Sequence, residues 1–193
     1  HGLSVASAYS QGSEAFPAAA LNISAGTTFT DAGYSAAPGF AGDYRFVGGG
    51  DVNILGTYRR EGIGDTYARG INNLGTLDIV SGNFLLQTGN WQNTSSGVVK
   101  VASGSTFGLA HVSFTGGQIL NQGLVRQYGG SAVVGAGVQI NGAWQLDAGR
   151  MTVQGQHRME SLVHSAMLTV EGALNVGSLV FNNGAKLGTS YIP

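Results

Sequence analysis

Asn121-Gln122-Gly123-Leu124-Val125-Arg126-Gln127-Tyr128-Gly129-Gly130-Ser131-Ala132-Val133-Val134-Gly135-Ala136-Gly137 carries the rhythm that decides the fold: a glycine-bearing turn, a short apolar run, then glycine again. Glycine and asparagine accept positive φ at little steric cost, so each such cluster reads as a tight turn. The same turn followed by apolar residues recurs at Asn73-Leu74-Gly75-Thr76-Leu77, at Ser95-Ser96-Gly97-Val98-Val99 and at Asn141-Gly142-Ala143-Trp144-Gln145-Leu146. The glycines at 75, 97, 123 and 142 are 22, 26 and 19 residues apart. After a longer gap, Glu171-Gly172-Ala173-Leu174-Asn175-Val176 reads as a further copy. Periods of ~20–30 residues with two or three short strands each are those of stacked β-solenoid coils. Each coil then touches only its neighbours, and the inward Val, Ile, Leu and Phe residues build one continuous core.

Outward from that stretch the apolar residues fall in alternating runs, among them Val98-Val99-Lys100-Val101, Leu109-Ala110-His111-Val112-Ser113-Phe114, Met151-Thr152-Val153 and Met167-Leu168-Thr169-Val170. Alternation of this kind predicts strands with one buried face, and helical periodicity is hard to find. Trp91, Phe114, Val133, Trp144 and Leu146 are the expected core or inter-coil packing residues. Prolines stand only at 17, 38 and 193, so 39–192 contains no ladder-breaking residue. Residues 1–50 differ, with Ala18-Ala19-Ala20, Ala36-Ala37-Pro38-Gly39 and scattered aromatics, although Leu21-Asn22-Ile23 can still be a strand. The expected organisation is a loop-rich N-terminal cap or arm over 1–50 and a solenoid of irregular coils over 51–193. A cap covers the unpaired N–H and C=O groups that an open terminal coil presents.

Composition excludes several classes. Of 193 residues 33 are glycine, but without a strict G-X-Y period, so the chain is not collagen. At 42% hydrophobic and net charge −1 it lacks the signature of disorder. Nine Lys and Arg residues equip it poorly to hold a phosphate backbone, so no nucleic-acid partner is expected. The absence of cysteine removes disulfides, zinc–thiolate sites and thiol nucleophiles. No apolar run approaches the ~18 residues of a spanning helix, and no basic stretch followed by an apolar core marks a signal peptide.

The stretch 71–187, with NNLGTLDIVSGNFLLQTGN, NQGLVRQYGGSAVVGAG and EGALNVGSLVFNNGAKL, is similar to the passenger repeats of autotransporters and filamentous-haemagglutinin-type adhesins. Phage fibres and tailspikes share the same coil. The resemblance implies a right-handed parallel β-helix, mostly without catalysis. The expected fold class is therefore all-β: a parallel β-solenoid with an irregular N-terminal cap or arm.

Polysaccharide-cleaving β-helices gather carboxylates on an outer face, one as acid and one as base or nucleophile. The ten acidic residues here are dispersed, with Asp43 and Asp65, or Asp51 and Asp78, the pairs that stacking would bring together. Neither a Gly-x-Ser-x-Gly elbow nor a phosphate-cradling loop before a helix is present, so no enzyme and no cofactor is expected. Gly48-Gly49-Gly50-Asp51 matches one fragment of a calcium-binding nonapeptide whose site needs several copies, and reads as a turn. Gln156–His164 interrupts the glycine rhythm and predicts a short helical turn with His157, Glu160 and His164 on one side, a geometry a metal site would want but without further support. His111 is expected to face solvent from a strand. Asn22-Ile23-Ser24 and Asn93-Thr94-Ser95 fit the glycosylation pattern at the frequency an asparagine-rich chain gives by chance.

The most charged segment runs from Tyr58 to Arg69. Arg and Tyr dominate interface hot spots because they offer large contact area with polar ends. Tyr58, Arg59, Arg60, Glu61, Asp65, Tyr67 and Arg69 are thus the candidate partner-binding residues, on a protruding loop that docks a protein or a sugar. The competing reading is a solvated hairpin between coils.

Three functional readings follow. In the leading one the chain is a structural protein of a virion surface (a decoration, fibre or spike component) that self-assembles, as a trimer, and docks on a larger assembly. A short coil stack has exposed ends, and association is their natural remedy. The alternative is a segment of a secreted or cell-surface bacterial β-helical adhesin. The third is a spike that binds or cleaves polysaccharide, with a surface glycan as partner.

Overall fold

The computed structural model describes residues 3–4, 21–32, 44–86 and 91–189. Among them every strand pairing is parallel, and the chain winds into a β-solenoid of about seven turns without helices. One face is a seven-stranded sheet made, in stacking order, of Leu3–Ser4, Thr28–Asp31, Thr57–Arg60, Thr76–Ile79, Val98–Val101, Gln118–Asn121 and Gln139–Ile140. A thirteen-stranded sheet wraps the other two faces, because several strands run around a corner. Asp65–Asn73 is one of these: its first half pairs with Asn83–Leu86 and its second half with Trp91–Asn93. We call these the first, second and third faces.

Register gives the length of a turn. Thr57 pairs with Thr76, Asn83 with Thr106 and Arg150 with Met167, so a turn takes 19, 23 and 17 residues at these points. The irregular glycine spacing of the sequence reflects corners of unequal length, while strand segments on one face stay in step. Earlier turns are longer, with Leu21 opposite Val52 and Thr28 opposite Thr57. Position 50 is thus no structural break: the described residues before it are already paired into the solenoid, and the rest of the expected cap lies outside the described residues. Gly48 to Asp51 lies within the strand Tyr44–Ile54, at a register shift between Val47 and Asp51, rather than in a turn.

Alternation puts every second side chain inside. On the first face Tyr58, Leu77, Val99 and Ile119 stack in register; on the second, Phe84, Phe107, Val125, Trp144 and Leu162 do the same, all buried. Full burial of such a side chain is worth about 1.5–3 kcal/mol. Trp91, Phe114, Trp144 and Leu146 are core residues, whereas Val133 is not: Ala132 and Val134 take the inward positions of that strand. Aromatic rings run through the earlier turns, from Phe29 to Tyr58 at 5.2 Å, Tyr58 to Phe84 at 5.5 Å and Trp91 to Phe107 at 5.1 Å, in the tilted and edge-on arrangements aromatic pairs prefer.

One corner shows why glycine is needed. Gly56, Gly75, Gly97 and Gly117 stack there, and each carbonyl accepts a hydrogen bond from the next turn, as in Gln118 N–H to Gly97 O at 2.9 Å. A Cβ on Gly117 would lie 2.1 Å from the Gly97 oxygen, and its φ of +79° is one L side chains seldom adopt. Turns approach too closely at this edge for a side chain to pass.

Candidate functional site

The Tyr58–Arg69 region is the most heavily charged stretch, and its alternation splits it between inside and outside. Thr57–Arg60 is a strand of the first face, followed by a turn over 61–64 and the strand Asp65–Asn73. It is therefore not a protruding loop. Tyr58 and Arg60 share the phase of Leu77 and Ile79 one turn on, and both are buried. They are structural residues that a partner's surface does not reach.

The buried arginine builds the corner. Its Nη2 donates to the carbonyls of Ile63 at 2.9 Å and Gly64 at 3.0 Å, and its Nη1 donates to that of Glu61. Its charge is met by Asp31, with Nε and Oδ2 3.6 Å apart, both groups buried. Asp31 Oδ2 also accepts hydrogen bonds from Thr66 Oγ1 at 2.7 Å and Tyr58 OH at 3.1 Å. A buried ion pair of this kind needs further hydrogen bonds to its remaining donors and lone pairs; here the turn's own carbonyls take both terminal nitrogens of Arg60, while its Nε faces Asp31 without a hydrogen bond. From outside, Ser81 Oγ accepts the Gly62 N–H at 2.6 Å.

What this pinned corner displays is Arg59, Glu61 and Ile63. The Arg59 side chain pairs with Glu61 and reaches Asp78 of the next turn at 3.1 Å. Hydrogen bonding to Glu61 raises its pKa, burial opposing this and the charges of Glu61 and Asp78 adding to it. Ile63 is 64% exposed, the most exposed large apolar residue among those described. Sequence reasoning passed over it, although an isoleucine between two glycines, Gly62 and Gly64, is a visible signal of an apolar side chain on a turn.

Asp65 and Tyr67 lie around the corner on the second face, half-buried. Asp65 accepts from Asn83 Nδ2 at 2.7 Å and from Tyr67 OH at 3.2 Å. Tyr128, two turns beyond Leu86, donates its hydroxyl to the Leu86 carbonyl, and its ring lies where a side chain on Gly108 would be. Burial, with a smaller contribution from Tyr67, pushes the Tyr128 hydroxyl up to about 12. Of Arg69 only the backbone, in Asp65–Asn73, is described. The other six candidates thus divide: Arg59 and Glu61 at the corner, Asp65 and Tyr67 on an outer face, Tyr58 and Arg60 inside.

Other candidates do not gather. Asp51 stands opposite Gly70 on the third face and Asp78 lies on the first, so they are not neighbours; Asp43 lies outside the described residues. Residues 156–164 belong to the strand Arg150–His164, not a helical turn. His157 and His164 are both buried, His157 Nε2 2.6 Å from the Gln154 carbonyl and His164 Nε2 2.9 Å from that of Lys186. Glu160 is exposed, so the three do not converge. His111 is exposed in the turn between two strands. Among the described residues no three His, Cys, Asp or Glu side chains are placed to hold a metal, and no helix is long and apolar enough to cross a membrane. Compared with family models, curated proteins and solved structures, the chain has no significant match in any of the three, so its functional reading rests on its own geometry.

Proposed function

We propose that this chain is a non-catalytic structural element of a surface assembly, a virion decoration, fibre or spike component, that self-associates and docks on a larger body. The observation that carries this reading is the use made of the outward carboxylates. Asp78 is held by Arg59, Asp65 by Asn83, Asp147 by Arg126 and Gln145, and Glu171 by Gln154 at 2.9 Å. Except for Gln145, each partner sits on an adjacent turn, so these acids serve stacking. The corner of Arg59, Glu61 and Ile63, fixed from within by Arg60, supplies a rigid contact point of the mixed charged and apolar kind found at interfaces.

The test has two readouts on the 193-residue chain. Incubation with bacterial surface polysaccharides is expected to leave their chain length unchanged; release of new reducing ends would overturn the non-catalytic part. Light scattering behind a sizing column, over about a hundredfold range of concentration, is expected to give an oligomer. A monomer throughout would favour the second reading, a segment of a bacterial β-helical adhesin.

A further inference from the structure

Two outward files run side by side along the second face. One is Asp65, Asn83 and Thr106, each opposite the next in register; the other, two residues further along each strand, is Tyr67, Leu85 and Gly108. Gly108 sits within the strand Thr106–Leu109 and its φ is not positive, so the backbone does not ask for glycine there, and glycine weakens a strand. What the missing side chain admits is the ring of Tyr128, from the following turn. Its Cε1 lies 2.9 Å from where a Cβ on Gly108 would be, and Leu85 Cδ2 lies closer still. Ring and leucine close over the glycine, which is buried although its phase is outward. With its hydroxyl held by the Leu86 carbonyl, the ring is fixed at both ends. Tyr67, Leu85 and Tyr128 each remain partly exposed. They form an apolar shelf across two interstrand spacings, roughly 10 Å, edged by a carboxylate, a carboxamide and a hydroxyl. Asp65 aligns that edge, accepting from Asn83 Nδ2 at 2.7 Å and from Tyr67 OH at 3.2 Å on its two oxygens. Each of those oxygens has a second lone pair.

We propose that this shelf binds a neutral oligosaccharide laid along the solenoid axis. A sugar ring is divided as the shelf is, with C–H bonds on its faces and hydroxyls around its rim. The C–H hydrogens carry slight positive charge and lie against the negative face of a tyrosine ring. The rim hydroxyls then donate to Asp65 and exchange hydrogen bonds with Asn83 and Thr106. Aromatic walls with a few placed polar groups are the usual make-up of a small-ligand site. Charge selects a neutral sugar: Asp65 is the one charged residue of the two files as far as Gly108, and Arg126 beyond it is already paired with Asp147. An acidic sugar would meet the Asp65 carboxylate. Size disfavours a protein, because three apolar side chains fall far short of the roughly 20–30 residues a side of a stable protein interface. Glycoside hydrolysis takes a pair of carboxylates, and these files hold one, so the site binds without cleaving. The proposal rests on the docking part of the reading above, to which it gives a ligand chemistry, and is independent of self-association.

Titration calorimetry of the 193-residue chain tests this. The probes are neutral hexasaccharides of glucose, mannose, galactose or N-acetylglucosamine, with hexagalacturonate as the acidic control. At least one neutral probe is expected to bind, and hexagalacturonate about tenfold more weakly, because like charges face each other. Tyr67→Ala and Tyr128→Ala should each weaken the neutral probe by about tenfold as a stacking ring is lost. Asp65→Asn keeps the shape and removes the charge. It should weaken the neutral probe several-fold and narrow the gap to hexagalacturonate, a shift in selectivity that loosened packing would not produce. That variant carries the test even where a tyrosine variant fails to fold, as circular dichroism would report. Failure of every neutral probe at millimolar concentration would overturn the sugar and turn the shelf over to a protein partner. Affinity unchanged in all three variants would overturn the location, and tighter binding of hexagalacturonate would overturn the neutral assignment. A monomer that shows the expected affinities would refute self-association and leave this site standing.

Discussion

The earlier turns of the solenoid and the later ones solve the same packing problem with different materials. From Phe29 to Phe114 the interior is filled by aromatic rings and braced by polar groups: the Asp31–Arg60 pair, and Asn73 donating to Asn93 at 2.7 Å. Asn93 Nδ2 in turn donates to the carbonyls of Gly97 and Gly116. From Val125 to Leu168 the filling is mainly Val, Ala, Leu and Met with one tryptophan, Trp144, whose Nε1 donates to the Asn141 carbonyl at 2.9 Å, and with fewer polar braces, Gln127, His157 and His164. Turn length follows: Asn83 to Thr106 spans 23 residues and Arg150 to Met167 only 17. Longer corners carry more backbone groups that the ladder does not serve, and buried side-chain donors take them up.

The contrast is most exposed to attack at Arg60. Arg60→Ala would leave the Asp31 carboxylate without its cation and strip the turn carbonyls of their donor, a loss of about 3–5 kcal/mol. Hydrogen exchange should locate the damage in 21–86; equal acceleration along the whole chain would mean that the turns are not separable in this way. Trp144→Ala comes next at roughly 3 kcal/mol, the low end for a buried tryptophan, since a narrow aliphatic turn can partly close around the gap. A melting temperature unchanged by it would remove Trp144 from the core. Asn93→Ala should cost about 1–3 kcal/mol, the price of two carbonyls losing their donor, and a denaturant midpoint equal to the parent's would show water taking its place. Met151→Leu conserves volume in the aliphatic half and should cost under about 1.5 kcal/mol.

A further effect is one of pH. Tyr128 binds its proton more tightly folded, near pH 12, than a tyrosine with the ordinary value of 10. The folded state therefore holds the extra proton between those values, and stability should fall as pH rises from about 10 to about 12. Tyr128→Phe should flatten that fall. An identical decline in both proteins would place its origin elsewhere.

The solenoid and its inward phase were legible where alternation was unambiguous, as at Trp144-Gln145-Leu146 and Val112-Ser113-Phe114. Ala132-Val133-Val134 fits both phases, and only the stacking of Ala132 on Val112 decides between them. The charged segment misled for a different reason. A Tyr-Arg-Arg-Glu run looks solvated because the carboxylate that neutralises Arg60 stands at position 31, with no local trace. Alignment of Tyr58-Arg59-Arg60 with Leu77-Asp78-Ile79 one turn later does carry the message, since apolar positions on the next turn mark Tyr58 and Arg60 as inward. At 156–164 the lack of a glycine cluster suggested helix, whereas the strand simply runs through the corner. The exposure of Leu179, Phe181 and Leu187 was not legible, because in sequence they resemble any other core residues.

Register has a metrical consequence. Each turn advances the stack by one interstrand spacing, about 4.8 Å, so about seven turns rise by roughly 30 Å. Arg59, Asp78 and Lys100 stand in one file on the first face, as do Asn53, Asn72 and Gln92 on the third. The molecule is in effect a graduated ruler, with side chains placed by file and by rung. A duplicated turn would add one graduation and move every contact point beyond it along the axis while leaving each on its own face.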